Sequence, residues 1–262
     1  LPVSQLYLSL NHWSTLLKTI IRKTIMQTDI SIIIPTLNEQ GNVKELFRRI
    51  DVILQDIQWE VIFVDDNSPD GTIKIVKDMA EKDNRVKYIH RVGRSGLSSA
   101  VIEGMELSQS RLYGVMDADL QHDEKILPKM IAELDQNHAH VVVGSRYVDG
   151  QYTGSGLNWY RLLGSKLTTW AGRVVTGTNI QDPLSGFFII QASVFEDVQN
   201  HLFGKGFKIL LDIVSSSTIN IKCIEVPFTF RPRHSGESKL DWSVVISYII
   251  MLIRNRSYRF RR

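Results

Sequence analysis

Two carboxylates set two apart carry the sharpest chemical signal in this sequence. In Met116-Asp117-Ala118-Asp119-Leu120-Gln121 they follow directly on an apolar run. Carboxylates so spaced at the end of a strand can aim oxygens at one hard divalent cation, and Gln121 adds a neutral oxygen. Asp117, Asp119 and Gln121 are therefore candidate ligands for Mg²⁺ or Mn²⁺ bridging a diphosphate. The plainer alternative is that the two acids only cap the next turn, and the other strand-end acids weigh against it. Asp66, in Val64-Asp65-Asp66, is acceptor-only and suits a nucleobase imide or amine, while Asp65 suits holding the loop. Asn67-Ser68-Pro69-Asp70-Gly71-Thr72 reads as a turn and helix cap.

Residues in those positions need a scaffold, and the hydrophobic periodicity supplies one. Ile30 to Pro35 reads as a buried strand, and Val43 to Ile57 as a helix with apolar residues at helical spacing. The alternation repeats through strands at Trp59 to Val64, Val86 to Ile89, Leu112 to Met116 and Val141 to Gly144. Helices are expected from Asp70 to about Lys82, from Ser95 to Ser108 and from Glu124 to Gln136. Continuous apolar strands separated by helices predict an α/β fold, a mostly parallel central sheet with helices on both faces. Ligands of such sheets bind beyond the carboxyl ends of the strands, where Asn38, Glu39, Asp65, Asp66, Asp117, Asp119 and Arg146 all fall. No Gly-x-Gly-x-x-Gly follows the first strand and no Gly-x-x-x-x-Gly-Lys-Ser/Thr occurs, which argues against a dinucleotide dehydrogenase and a P-loop enzyme.

The 262 residues, 43% hydrophobic and 23% charged, have an ordinary globular composition. A single cysteine, Cys223, excludes an intrachain disulfide and a multi-cysteine zinc site. Net charge is +3, but Lys18, Arg22 and Lys23 at one end and Arg254, Arg256, Arg259, Arg261 and Arg262 at the other leave residues 29–253 at −5. Cations confined to the ends argue against a nucleic-acid binder and fit anionic lipid better. From Leu240 to Ile253 an apolar helix would be about 21 Å long against a hydrocarbon core of about 30 Å. With Ser243, Ser247 and Arg254 on one stripe, it reads as an interfacial helix followed by a basic tail. Trp159 to Val175 has a second amphipathic pattern that suits a membrane surface or the sheet equally. Leu1 is not an initiator and Met26 lies just before the first strand, so residues 1–28 read as an N-terminal extension, 29–239 as the catalytic domain and 240–262 as the interfacial helix and tail. The cytosolic face of a membrane is the expected location.

Six ordered motifs carry a family resemblance: Ile33-Ile34-Pro35-Thr36-Leu37-Asn38-Glu39, Val64 to Thr72, Asp117 to His122, Val143-Gly144-Ser145-Arg146-Tyr147, Asp182-Pro183-Leu184-Ser185-Gly186-Phe187 and Gly236-Glu237-Ser238-Lys239. Together they resemble inverting glycosyltransferases of family 2, and more narrowly the dolichol-phosphate (polyprenol-phosphate) mannosyltransferases. The resemblance implies a GT-A fold in which Pro35, Leu37, Glu39, Val64 and Asp66 surround the nucleoside of GDP-mannose, with Asp117, Ala118, Asp119 and Gln121 at the diphosphate and its metal. Leu37 stands where many such enzymes have an aromatic. The implied acceptor is a polyprenyl or dolichyl phosphate, already largely a dianion at neutral pH by its second pKa of about 6. Such an acceptor needs no strong general base, only positive charge to place it. Arg146, Arg233 and Lys239 lie on matching motifs and are the first candidates for its phosphate, with Lys208, Arg161 and Arg231 secondary. Asp119, Arg146 and Arg233 are the expected catalytic residues, and Asp182 is expected to orient the sugar or the arginines. UDP-sugar transfer to undecaprenyl phosphate, transfer to a hydroxyl acceptor and a non-catalytic sugar-nucleotide-binding subunit stay open as alternatives.

Overall fold

The fold is that of a computed structural model, which describes residues 28–147, 180–204, 206, 208–229 and 231. The expected alternation is present as β1 (Ile30–Thr36), α1 (Val43–Ile53), β2 (Trp59–Asp65), α2 (Thr72–Ala80), β3 (Val86–His90), α3 (Leu97–Leu107) and β4 (Leu112–Val115). A 3₁₀ turn (Glu124–Ile126) leads into α4 (Leu127–Gln136), then β5 (Val141–Ser145). The first helix stops at Ile53, short of the expected Ile57, because the Ile57 N–H turns back to the Leu54 carbonyl. Leu54 and Ile57 still pack into the core, so their apolar spacing reflects burial and not continued helix.

The sheet does not end with the five expected strands. Four more elements follow: β6 (Phe188–Gln191), α5 (Ala192–Val198), α6 (Ile209–Ser216) and β7 (Cys223–Pro227). The seven strands lie in the order β3-β2-β1-β4-β6-β5-β7. All pairings are parallel except those of β6, which inserts antiparallel between β4 and β5. The mostly parallel sheet is thus as expected, with one reversed strand that brings its own N-terminal loop to the edge where the other strands end.

Alternation along the strands sorts the core into two layers. Ile30, Ile32 and Ile34 of β1 face α1, α2 and α4, while Ile33 faces α3, α5 and α6. Helices cover both faces, as parallel strands require. Two glycines permit close contact: a Cβ at Gly104 of α3 would lie 2.5 Å from Ile33, and one at Gly144 of β5 2.7 Å from Phe187. Among the described residues no helix is long and apolar enough to cross a membrane. The segments 1–27, Trp159 to Val175 and 240–262, on which the interfacial-helix expectations rest, lie outside the described residues.

Candidate active site

The loops beyond β1, β2, β3, β4 and β5 and the loop entering β6 share one edge of the sheet. Each is fixed by its own polar bonds. After β1, the backbone N–H groups of Asn38, Glu39 and Gln40 donate in turn to Ser68 Oγ (3.0 Å), Thr72 Oγ1 (2.9 Å) and Asp70 Oδ2 (3.0 Å). Three backbone donors that a loop would leave to water are so taken by the turn after β2. Asp65, fully buried, accepts from Thr36 Oγ1, the Ser68 N–H and Ser68 Oγ. That is the loop-holding role expected of it.

Asp66 has a different environment. Its Oδ1 accepts from Arg91 at 2.5 Å and its Oδ2 from the Gly96 N–H at 2.8 Å, and the side chain keeps 10% exposure. Leu37 is exposed on the neighbouring loop and Pro35 half-buried, while Glu39 accepts from Asn42 Nδ2 at 2.7 Å. The Val64 side chain is fully in the core and Ala118 is 3% exposed. Any contact to a ligand from those two positions falls to their backbones.

Beyond β4 the carboxylate pair sits on a strained loop. Leu120, between Asp119 and Gln121, has φ 63, a left-handed conformation that costs a branched side chain about 1–2 kcal/mol. Such strain persists where surrounding structure imposes it. Here Gln121 is tied on both sides: its Nε2 donates to the Arg231 carbonyl and its own carbonyl accepts the Arg231 N–H, each at 3.0 Å. Asp119 is 7% exposed and its Oδ1 accepts the Gln121 N–H. The Asp117 side chain is 39% exposed, and its backbone N–H donates to His122 Nδ1 at 3.1 Å. With Nδ1 accepting, the neutral ring carries its proton on Nε2, 3.7 Å from Asp117 Oδ2. His122 stacks on Phe187 with centroids 5.0 Å apart and meets the edge of Phe228. Burial pushes its pKa below the ordinary imidazole value, against the pull of Asp117 and Asp119. It is a neutral wedge under the carboxylate loop that sequence reading did not single out, because its partners come from remote segments.

The loop entering β6 joins the two halves of the site. A Cβ at Gly186 would lie 3.1 Å from Asp117 Oδ2. In the same loop Asp182, 1% exposed, receives Arg146 through two parallel bonds, Nε to Oδ2 at 2.8 Å and Nη2 to Oδ1 at 2.9 Å. The Asp182 N–H in turn donates to Glu225 Oε1 on β7 at 2.9 Å. Bidentate pairing fixes the guanidinium plane, and Arg146 keeps 30% exposure. Asp182 thus orients an arginine, one of the two roles expected of it. Lys208, preceding α6, lies within electrostatic reach of Arg146 and Asp182, and burial first and then Arg146 push its pKa down. Its amine makes no hydrogen bond or ion pair among the described residues.

Arg231, a secondary candidate for the phosphate, is ion-paired. Its guanidinium donates to Glu124 Oε2 at 2.7 Å and Asp123 Oδ1 at 2.5 Å, which raise its pKa. Engaged by two carboxylates, its side chain and its backbone bonds to Gln121 tie the segment after β7 to the carboxylate loop. Arg161, Arg233 and Lys239 lie outside the described residues. No group of three His, Cys, Asp or Glu side chains that could hold a metal occurs among the described residues. A cation here would have Asp117, Asp119 and the Gln121 amide oxygen as protein donors. That all-oxygen, low-count set fits Mg²⁺ or Mn²⁺ with the rest of its shell from phosphate and water.

A family model described as glycosyl transferase family 2 matches residues 31–199, which hold every described donor-site residue above and the Arg146–Asp182 pair. The chain belongs to glycosyl transferase family 2. Within that family it is 43% identical over 229 residues to the dolichol-phosphate mannosyltransferase of Pyrococcus furiosus, an alignment covering 86% of this chain and 63% of that protein, so the chain spans less than two thirds of its length. It is 34% identical to the dolichol-phosphate mannosyltransferase of Saccharomyces cerevisiae, over 90% of each. Against the polyprenol monophosphomannose synthase of Mycolicibacterium smegmatis the identity is 32% over 81% of each. The solved structure of glucosyl-3-phosphoglycerate synthase from Mycobacterium tuberculosis with Mn²⁺ and UDP-glucose superposes with a TM-score of 0.66 at 16% identity, over 90% of this chain and 81% of that one. At that identity the likeness is one of fold. The family 2 resemblance drawn from the six motifs is borne out.

Proposed function

We propose that the chain transfers mannose from GDP-mannose to a polyprenyl or dolichyl phosphate with inversion at C1, giving a β-mannosyl phosphoryl polyprenol. The observation that carries the reading is one rim holding opposite charges side by side. Asp117 and Asp119 lie next to the Gly186 loop, whose Asp182 holds Arg146, with the desolvated Lys208 nearby. A carboxylate pair suits a metal-bound diphosphate, and a fixed guanidinium with a poorly hydrated ammonium suits a second phosphate. The names of the similar relatives supply the class of acceptor and the sugar.

In this mechanism an oxygen of the lipid phosphate dianion forms the bond to C1 as the bond from C1 to the GDP oxygen breaks on the opposite face. No proton moves, so the absence of a general base from the proposal is a chemical consequence of the acceptor. Arg146 and Lys208 bind and orient the attacking phosphate, and the Asp182 clamp keeps Arg146 from collapsing onto the donor. Asp117, Asp119 and Gln121 would hold Mg²⁺ or Mn²⁺, which when bound neutralises charge on the departing diphosphate. Asp66 accepts from the base, and Leu37 and Glu39 border the nucleoside. The basic segments at the two ends of the sequence support a seat on an anionic membrane surface, and the single cysteine supports the side where thiols stay reduced.

The test is transfer from radiolabelled GDP-mannose to a short polyprenyl phosphate in detergent with Mg²⁺ or Mn²⁺. Labelled lipid that disappears with EDTA is the expected result. Product with UDP-sugars only would replace the donor, product on hydroxyl acceptors without lipid phosphate would replace the acceptor, and silence with every pair would leave a binding subunit.

A further inference from the structure

The turn joining β3 to α3 carries an arginine whose position no donor or acceptor role explains. Arg91 has 1% side-chain exposure, and its guanidinium is spent on protein groups: Nε on Glu103 Oε1 at 3.1 Å, Nη1 on Asp66 Oδ1 at 2.5 Å and on the Gly96 carbonyl at 3.1 Å, Nη2 on Ser99 Oγ at 2.6 Å. Gly96 answers from the other side, its N–H donating to Asp66 Oδ2 at 2.8 Å. Its φ of +128, which side chains of L-residues rarely adopt, turns both its N–H and its carbonyl toward the arginine–aspartate pair. The result is a closed ring in which each Asp66 oxygen has one fixed donor.

Buried ion pairs are poor devices for stability, since apolar replacements of equal volume often do as well. What this one does is remove rotation from a carboxylate at the site's edge. An ionised carboxylate has about four lone-pair positions, of which Arg91 and Gly96 take two, and the Asp66 side chain keeps 10% exposure. One fixed edge with two acceptors is left to a ligand. Sheet order puts Asp66 at the end of β2 between the loops after β1 and β3, and these carry the exposed apolar side chains Leu37 and Val92. Exposed apolar side chains on the two flanking loops, with a rigid acceptor edge between those loops, suit a flat heterocycle presenting two adjacent donors. Guanine offers N1–H and its 2-amino group side by side, whereas uracil has one N–H flanked by carbonyls that a carboxylate repels.

We propose that Arg91 is a positioning residue for base recognition, acting through Asp66 to make the site select a guanine over a uracil nucleotide. The proposal rests on the reading of Asp66 as the donor-site acceptor, and its test needs no turnover. GDP and UDP are titrated calorimetrically into the full chain carrying Arg91→Lys, Asp66→Asn, both together, or Ser99→Ala, with circular dichroism melts to report folding. Arg91→Lys keeps the charge but loses the fork, and GDP affinity is expected to fall about tenfold with UDP affinity changed less than about threefold. In the Asp66→Asn background the same substitution is expected to change GDP affinity less than about twofold, the non-additivity of a residue acting through its neighbour. Equal loss for GDP and UDP, or an equal effect of Arg91→Lys in both backgrounds, overturns the proposal. Should Arg91→Lys not fold, Ser99→Ala removes one Arg91 contact without touching the carboxylate and should lower GDP affinity about two- to threefold by the same selective pattern; an unchanged GDP/UDP ratio there overturns it. If Asp66→Asn itself leaves GDP binding intact, the reading of Asp66 fails and the proposal with it, whereas an Asp66→Asn effect with Arg91→Lys silent refutes Arg91 alone.

Discussion

At the residue scale the site divides into groups held for others and groups offered to a ligand. Asp119 belongs to the second kind: it is nearly buried on the carboxylate loop, and its Oδ1 accepts the local turn N–H of Gln121. Asp119→Ala is expected to lower turnover by about 10³-fold or more, the scale of losing a group that stabilises transition-state charge, while the melting temperature moves little. Full activity in that variant would sink the metal assignment. Lys208 makes the second prediction. Its pKa is pushed down, chiefly by burial and next by Arg146, so in the free enzyme its positive charge is lost at a lower pH than an ordinary lysine loses it. The acceptor phosphate gains its second charge near pH 6. In kcat/KM for the lipid, which reports free enzyme and free substrate, the rate should rise through about pH 6 and fall again as pH passes the depressed Lys208 value. Lys208→Arg should abolish that alkaline limb. A limb unmoved by the substitution assigns it elsewhere.

At the element scale, the loop entering β6 aligns donor and acceptor halves, and Gly186 is where the fit is closest. A methyl there would sit 3.1 Å from the Asp117 carboxylate, which must yield by a few tenths of an ångström. Since misplacement by about 1 Å costs about 10²-fold, Gly186→Ala should slow transfer by about tenfold and raise the Mn²⁺ concentration needed for half-maximal rate, with a thermal shift too small to account for either. Gly104→Ala is the contrasting case. Its Cβ would stand 2.5 Å from Ile33 and 3.1 Å from Val64, forcing α3 off the sheet at an overpacking cost of about 1–3 kcal/mol, which a denaturation midpoint would report. The same scale shows what the sequence could and could not express. Strands β1 to β5 and the helices between them follow from local periodicity, because strand-sized apolar runs alternate with stretches of helical spacing and are bounded by turn residues. Strand β6 has four residues and passes straight into a helix, and its insertion between β4 and β5 depends on partners 40 to 80 residues away, for which a chain segment carries no local sign. The carboxylates were legible from spacing. Of the contacts that hold the site, Asp182 on an arginine was anticipated from its motif, whereas Arg91 on Asp66 and the stacking of His122 on Phe187 and Phe228 were not, because those partners come from separate loops.

At the scale of the whole molecule, charge is segregated. The described sheet and its helices belong to a body of net −5, while eight uncompensated cations sit at the two ends. An acidic body is repelled by an anionic bilayer, and each basic residue near the surface contributes about 1 kcal/mol of attraction that fades within a Debye length. If the proposed lipid acceptor lies at such a surface, attachment is expected to rest on the concentrated basic segments and not on the acidic body. Full-length chain is expected to sediment with vesicles containing about a third anionic lipid at low salt and to be released as ionic strength rises towards 0.5 M, where screening lengths fall to about 4 Å. Replacing Arg254, Arg256, Arg259, Arg261 and Arg262 together by Gln should abolish that salt-sensitive binding and raise the apparent KM for vesicle-embedded polyprenyl phosphate, while leaving transfer to a short acceptor in neutral detergent unchanged. Loss of activity in detergent as well would mean that these arginines serve the reaction itself, and binding that persisted in high salt would move the contact to apolar residues.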